Sequence, residues 1–567
     1  MCGILALINA QSGQQDKVRH HLAMLNHRGP DSSGLSTMTN KQGTHYLGHT
    51  RLSIVDPESG AQPFETPGGS ILAVNGEIYN CGFLNSKHRG KLKTRSDCEC
   101  IAHLYDHMRD DDGDEQFTSA TQTPMEKLCC MLDGVYAFVC MNVSNNKIWA
   151  ARDPLGVVPL YYGYKCDGTM AFASELKALN GLVDTVSEFP PGHYYNSSTD
   201  SFKKFFNPSW KVTLPPLSPP KYPEWVVSEK RIKIKHTLFA AVEKRMMADV
   251  PWGVLLSGGL DSSIIAAIAA EEQKTWDNMP MINTFAIGLE GSPDLEAAEI
   301  VAKHIQSNHR SYTFTVEEAL EAIPEVIRHL ETYDVTTIRA GTPMYLLARK
   351  IKATGVKMVL SGEGADEIYG GYMYFHNCPS WEEFFFETQR KIFDLHYYDN
   401  LRANKAMAAW GVECRVPFLD MAHVEHAMSL HPSAKMPSDT RMEKHLLRET
   451  FADMLPEEIC WRQKEQFSDG VGYNWIDSIK DMASKTISGT VWSRRKAMFP
   501  THTPKTKEAM WYRLHFDKYF QMPGVSLLVP YGKSCACSSD TAARWAGNEK
   551  DDASGRSVKV HIKSVVQ

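Results

Sequence analysis

Over the first two hundred residues, apolar positions come in short runs broken by polar turns, a pattern of strands rather than long helices. Residues 2–8 read as a buried strand, 134–141 and 147–151 as two more, and 170–173 as another. Residues 49–56 alternate up to Pro57, which predicts a strand closing there. Residues 17–25 read as an amphipathic helix. These elements predict a β-rich sandwich over residues 2–207. Residues 110–124 are acidic and without period, an exposed loop insertion. Proline crowds residues 208–226, with Pro215-Pro216 and Pro219-Pro220, and predicts a semi-rigid linker.

The pattern then changes to alternating helices and strands. Residues 228–247 are helical, with Leu238, Ala241 and Val242 on the apolar side. Residues 254–256 form a short apolar run, and an Ala/Ile-rich helix follows over 264–270. Strands are predicted at 281–287, 310–314 and 356–360. Ser292-Pro293 opens a helix through Ile305, and Thr315 with Glu318 makes a capping box for a helix to about Leu330, bent at Pro324. Residues 343–353 are helical and Gly355 ends them. This alternation predicts a doubly wound parallel α/β sheet over residues 227–523. The tail, 524–567, is polar and reads as a partly ordered extension without chemistry.

Composition narrows the function classes. A chain of 567 residues favours two to four domains. A net charge of −6 without a basic block argues against nucleic acid as the main partner. No apolar run is long enough to span a bilayer, and the N-terminus lacks the basic region of a signal peptide. Thirteen scattered cysteines point to reduced thiols and a cytoplasmic location. The close pairs Cys98/Cys100, Cys129-Cys130 and Cys535/Cys537 lack a second pair at zinc spacing and read as structural thiols.

The candidate chemistry lies in two loops and at the N-terminus. Ser257-Gly258-Gly259-Leu260-Asp261-Ser262-Ser263 falls between a strand and a helix. Its glycines let backbone N–H groups approach an anion, its serines add hydroxyl donors, and Asp261 can hold a divalent cation on a phosphate chain. No lysine follows the glycines, so the loop suits pyrophosphate rather than a transferred γ-phosphate. Ser361-Gly362-Glu363-Gly364-Ala365-Asp366-Glu367 packs three carboxylates into five residues, a costly arrangement unless cations are near. Asp366 with Asp261 could hold Mg²⁺, leaving Glu363 for proton transfer; a solvated acidic turn is the plainer alternative. Both loops follow strands, at the sheet edge where such folds bind ligands.

Cys2 becomes the first residue if Met1 is trimmed. An α-amine of pKa about 8 and a thiol of about 8.5 then share one carbon, and the amine can act as base for its own nucleophile. Asn75-Gly76 is either a hairpin turn or a pair of donors for a tetrahedral oxyanion. Ser96 to Glu99 has capping-box spacing, which leaves Asp97 to meet an ammonium group. Residues 461–468 read only as a polar loop.

Cys2, Arg51, Asn75-Gly76-Glu77 and Asp97 stand in the order of the motifs in glutamine amidotransferase domains of the N-terminal-nucleophile class, which the first half resembles. The resemblance implies an αββα sandwich. It implies that Cys2 attacks the glutamine amide, that Asn75 and Gly76 hold the oxyanion, and that Arg51 takes the substrate carboxylate. Glu77 and Asp97 would fix the α-amine. The Leu52–Val55 segment (Leu52, Ser53, Ile54, Val55) would complete the glutamine site, with backbone contacts from Ile54 and Val55.

The second half resembles adenylating ATP pyrophosphatases. Blocks 331–339, 401–405, 411–420 and the one around Lys464 extend the likeness, so that the chain from Cys2 to about Pro523 looks like the glutamine-hydrolysing asparagine synthetases. That family would use glutamine, aspartate and ATP with Mg²⁺, through β-aspartyl-AMP and a dry ammonia passage between domains. Leu256, Ile287, Ser361 and Gly362 would hold adenosine, and Ser257 to Ser263 the pyrophosphate. Lys464 would neutralise phosphate charge, Arg339 would meet pyrophosphate or an aspartate carboxylate, and Glu363 would take the ammonia proton. A homodimer is compatible with the resemblance, which leaves oligomeric state open. The competing readings are a β-lactam-forming synthetase, an RNA-modifying enzyme with the same loop, and a scaffold with decayed sites. The first would normally lack Cys2; the second would want a basic RNA-binding domain; the third would show decayed positions, and none is decayed.

Overall fold

A computed structural model describes residues 1–86, 92–110, 123–212, 224–276, 281–464, 467–472, 474–531 and 545. Residues 111–122 of the anticipated loop insertion, most of the proline-rich linker and most of the tail lie outside the described residues.

The N-terminal region builds twelve strands: β1 (Gly3–Ala10), β2 (Ser32–Asn40), β3 (Gly43–Arg51), β4 (Phe64–Glu65), β5 (Ser70–Ile78), β6 (Gly134–Asn142), β7 (Lys147–Arg152), β8 (Tyr161–Tyr164), β9 (Met170–Ala173), β10 (Thr185–Glu188), β11 (His193–Asn196) and β12 (Ser201–Lys204). Among the described residues they form two six-stranded antiparallel sheets, ordered β10-β8-β9-β1-β3-β2 and β12-β11-β7-β6-β5-β4. Strand β1 is apolar without a break because both of its faces are covered. Ile4, Ala6 and Ile8 enter a core shared with Ala73, Ala137, Val139 and Met141 of the other sheet. Leu5 and Leu7 instead pack beneath Val18 and Leu22 of α1 (Gln15–Ala23). On the far side, α2 (Cys100–Asp110) and α3 (Pro124–Met131) cover Leu72, Val74 and Phe138. The result is the anticipated αββα sandwich.

Three local expectations fail here. Strand β3 ends at Arg51 rather than running to Asp56. Asn75-Gly76 is not a hairpin turn; both residues lie inside β5, paired with Ala137 and Tyr136. Nor does Ser96 cap a helix with Glu99. The helix starts at Cys100, and the Glu99 carboxylate accepts the N–H groups of Lys93 and Thr94.

The C-terminal region is a parallel five-stranded sheet of β13 (Trp252–Leu255), β14 (Asn283–Gly288), β15 (Asn308–Thr313), β16 (Met358–Leu360) and β17 (Glu413–Arg415), ordered β15-β14-β13-β16-β17. Its helices include α4 (Glu224–Arg245), α5 (Leu260–Gln273), α6 (Pro293–Ile305), α7 (Val316–Leu330), α8 (Val335–Lys352), α9 (Asp399–Ala408) and α10 (Lys507–Tyr519). Helix α7 is capped as expected, with the Thr315 hydroxyl accepting from the Glu318 N–H. Helix α8 starts eight residues before the predicted helix, at an Asp334 cap, and keeps Pro343 inside it. Proline has no N–H for the Arg339 carbonyl, which accepts instead from the Trp475 indole at 2.9 Å. The strand order reverses between β13 and β16, so the loops after those two strands flank the switch point of the sheet.

Candidate active sites

The first site gathers at the start of β1. Cys2 is buried; its backbone N–H donates to Asn75 Oδ1 at 2.7 Å, and its Sγ faces the Leu52 carbonyl at 3.9 Å. The contact through Oδ1 turns the Asn75 amide so that Nδ2 is a buried donor without a partner, the state expected of an oxyanion donor before substrate arrives. Gly76 has φ 150°, and a Cβ there would stand 2.1 Å from the Val135 carbonyl oxygen, so no side chain can replace its hydrogen. Arg51 folds over the turn that follows β3, donating to the carbonyls of Val55 (3.0 Å), Asp56 (2.6 Å) and Pro57 (3.3 Å). It thereby fixes the Leu52–Val55 segment beside Cys2; Asp31 adds a hold on the Ser53 N–H at 2.7 Å.

Glu77 and Asp97 are both buried nearby. Asp97 accepts from the Ile78 N–H at 2.7 Å, and Glu77 faces Arg415 of β17 at 3.1 Å. Burial pushes the Glu77 carboxyl well up, Arg415 opposes it, and Asp97 and Glu413 add to the rise. Burial likewise raises the Cys2 thiol, against the pull of the N-terminal ammonium. That ammonium belongs to Met1, which is itself buried and pairs with Glu413 across the domain boundary at 2.7 Å.

The second site is a cleft at the sheet switch point. Leu256, Ser257, Gly259, Leu260, Asp261, Ser262, Ile287, Ser361, Gly362, Glu363, Asp366 and Lys464 all line it, as the sequence anticipates. Gly258 does not; it turns the loop. With φ 71°, its Cβ would meet the backbone of Ala297 and Ala298 at 2.5 Å. The Ser257 and Ser262 hydroxyls lie 3.0 Å apart at the N-terminus of α5. Ser263 is fully buried and, unlike Ser257 and Ser262, does not line the cleft.

Asp261 and Asp366 face each other across two ammonium groups. Lys444 Nζ contacts both, Asp261 at 2.5 Å, and Lys464 Nζ lies 2.7 Å from Asp366. Burial would raise the Asp366 carboxyl, but Lys444 and Lys464 outweigh it and hold it down at about 2. Asp261 Oδ1 is buried without a hydrogen-bond partner. Two carboxylates suit Mg²⁺, which commonly takes one or two from the protein and the rest of its shell from phosphates and water. Glu363 pairs with Arg402 of α9 at 2.6 Å; burial, seconded by Asp399 and Asp366, lifts its carboxyl above the ordinary range despite that arginine. A lifted carboxyl is the setting for a general base.

Arg339 is not in the cleft. Glu508 of α10 holds it in a two-point pair, at 2.8 and 2.7 Å. The cations that do line the cleft beside Lys464 are Arg402, Lys444, Arg448 and Arg462. Lys444 was missed altogether: no local pattern marks it, although its left-handed backbone (φ 56°) sets it apart in the fold. Arg402 and Arg462 stood inside matching blocks without a role. Among the described residues there is no metal-like cluster of three or more His, Cys, Asp or Glu, the cysteines are free, and no helix is long and apolar enough to cross a membrane. Cys535 and Cys537 lie outside the described residues.

Comparison with known proteins agrees with both halves. The glutamine amidotransferase domain family matches residues 1–197, and the asparagine synthase family matches residues 233–390 and 379–525. The chain is 45% identical to glutamine-hydrolysing asparagine synthetase 1 of Arabidopsis thaliana, over all of this chain and 95% of that one. It is 46% identical to a probable asparagine synthetase of the same kind from Dictyostelium discoideum, covering all of both chains, and 46% identical to the Asparagus officinalis enzyme over 98% and 92%.

Proposed function

Because the chain belongs to the glutamine-hydrolysing asparagine synthetases, we propose that it makes asparagine from aspartate, ATP and glutamine at these two sites. In the first, removal of Met1 frees the Cys2 α-amine, which takes the thiol proton as Sγ attacks the glutamine side-chain amide. The oxyanion forms against Asn75 Nδ2 and the Gly76 N–H, ammonia leaves, and water releases glutamate from the thioester. Glu77 and Asp97 receive the substrate ammonium.

In the second, the aspartate β-carboxylate attacks the α-phosphorus of ATP and pyrophosphate departs. The Ser257–Ser262 loop and the N-terminus of α5 supply donors to the leaving group. Asp261 and Asp366 would hold Mg²⁺, which when bound supplies positive charge to the phosphates. Lys444 and Lys464 neutralise the two carboxylates and the charge that builds as the bond breaks. Ammonia then attacks the β-aspartyl carbonyl, Glu363 takes its proton, and AMP leaves. Arg402 keeps Glu363 in place. The free thiols of the described cysteines favour a cytoplasmic setting, which we also propose.

The observation that carries this reading is the pairing, in one chain, of a buried Cys2–Asn75 centre with a cleft whose two carboxylates and two lysines face a Ser-Gly-Gly loop. Incubated with aspartate, ATP, Mg²⁺ and glutamine, the enzyme is expected to release AMP and asparagine; ADP in place of AMP would refute adenylation. Cys2→Ala should abolish use of glutamine and spare synthesis from ammonium salts, and loss of both would make Cys2 structural.

A further inference from the structure

Strand β17 is three residues long, yet it touches both sites. The Arg415 carbonyl accepts the Ser361 N–H at 2.9 Å, and so anchors the first residue of the loop that carries Gly362, Glu363 and Asp366. Its side chain leaves the sheet and crosses the domain boundary. The guanidinium is 1% exposed. Nε donates to Glu413 at 2.7 Å, and Nη1 donates to the carbonyls of Arg245 (2.8 Å) and Met247 (2.6 Å). Those bonds fix the plane of the fork. The remaining nitrogen, Nη2, lies 3.1 Å from Glu77 Oε2. Neither atom is in hydrogen-bond alignment with the other, and both are otherwise without partners. Glu77 is thus steadied by charge while its lone pairs stay available to a second cation.

Resting on the function proposed above, we propose that Arg415 is a positioning residue for glutamine: it reaches from the nucleotide sheet into the amidotransferase site and holds Glu77 as the anion that takes the substrate α-ammonium. Glu77 needs such a partner. It is buried among Asp97 and Glu413, and burial with two like charges raises its carboxyl even with Arg415 opposing them; without Arg415 it would rise further toward the protonated form, which cannot pair with an ammonium. Because Ser361 hangs on the same residue, a nucleotide that draws on the Ser361 loop acts on the backbone of the arginine that orders the glutamine site. Glutamine affinity and nucleotide occupancy therefore share one physical link.

The test uses the full-length enzyme and separates the two nitrogen donors. Arg415→Gln is expected to raise KM for glutamine at least tenfold while kcat changes less than threefold and ammonia-dependent asparagine synthesis stays within twofold. The pH at which glutamine binding reaches half its maximum should move upward, because Glu77 must then lose its proton unaided. In a double-mutant cycle, Glu77→Gln with Arg415→Gln should be no worse for glutamine than Glu77→Gln alone, since the arginine acts through the glutamate. An unchanged KM, a proportional fall in both activities, or additive effects in the cycle would each overturn the proposal. Should Arg415→Gln fail to fold, Arg415→Lys keeps the charge without the three-way fork; it must raise glutamine KM severalfold at unchanged ammonia-dependent synthesis, and an unchanged KM overturns the proposal equally. Wild-type enzyme that made no asparagine at all would instead sink the functional reading.

Discussion

Lys444→Met tests the electrostatics of the nucleotide cleft most directly. Two lysines and two aspartates there sum to zero charge; removing Lys444 leaves −1. The lysine side chain is 1% exposed and the carboxylates 13% and 16%, so solvent screens the loss only in part. Breaking a buried pair costs about 3–5 kcal/mol. Lys464 remains 2.7 Å from Asp366 and takes up some of the deficit. Asp366 sets a second bound: its carboxyl sits at about 2 against 3.8, which at about 1.4 kcal/mol per unit is roughly 2.5 kcal/mol shared between two lysines. We expect a net loss of about 2–3 kcal/mol at neutral pH, or a Tm lower by roughly 4–10 °C. Thermal unfolding of the full chain, with and without Mg²⁺, reads this out. Mg²⁺ should restore more of the loss in Lys444→Met than it adds to wild type, because the divalent cation takes the place the ammonium held between the carboxylates. A variant that melts within 1 °C of wild type and forms AMP at more than a third of its rate would refute the reasoning.

Glu363→Gln should slow asparagine formation by about 10²–10³ while pyrophosphate release continues, measured by separate product assays. Since burial lifts the Glu363 carboxyl above 4.5, wild-type amide formation should rise with pH through a value above 4.5, and the variant should lose that limb. Burial works against the charge of Glu188, but His396 and Arg152 hold its carboxyl down at about 2. A depressed carboxyl stabilises above its unfolded pKa near 4.5 and ceases to as pH falls toward 2, a contribution of about 3 kcal/mol. Glu188→Gln should flatten the stability loss over that window in acid unfolding curves. Gly258→Ala should cost at least about 2 kcal/mol, combining left-handed backbone with a backbone clash. Gly291→Ala, with φ 73° but open space around it, supplies the control at about 1 kcal/mol.

What could be read from the chain was set by locality. The bounds of β9 and α6 agree with expectation because a run of apolar residues or a Ser-Pro start is complete within the segment. Strand β3 stops early because the Arg51 guanidinium binds the carbonyls of residues 55–57, which alternation of apolar residues does not register. Pro343 looked like the start of a helix because the donor to the carbonyl it frees, the Trp475 indole, lies 136 residues from Arg339. The motif residues of both sites were legible as types in order. Their partners were not: Glu508 for Arg339, Lys444 for Asp261 and Arg415 for Glu77 come from distant segments, and a short strand such as β17 carries no period.

The two sites are held in one relation by buried polar contacts rather than by an apolar seam alone. Glu331, in a left-handed conformation at the end of α7, accepts the backbone N–H groups of Leu176 and Lys177 at 2.7 and 2.8 Å and pairs with Lys405 at 2.6 Å. Arg28 ties the Cys2 carbonyl (2.8 Å) and Glu175 (2.6 Å) on its own side to Asn404 (2.9 Å) on the other, and Asn404 returns a bond to the Val157 carbonyl at 3.1 Å. An apolar interface tolerates sliding by an ångström or two at little cost. A buried carboxylate with directional partners does not, because displacement strands a charge without compensation. On the proposed mechanism, nitrogen released beside Cys2 has to arrive at Glu363 unprotonated, which asks for a fixed relation between the two sites. The charged contacts that add least to net stability are therefore the ones that fix where the domains sit.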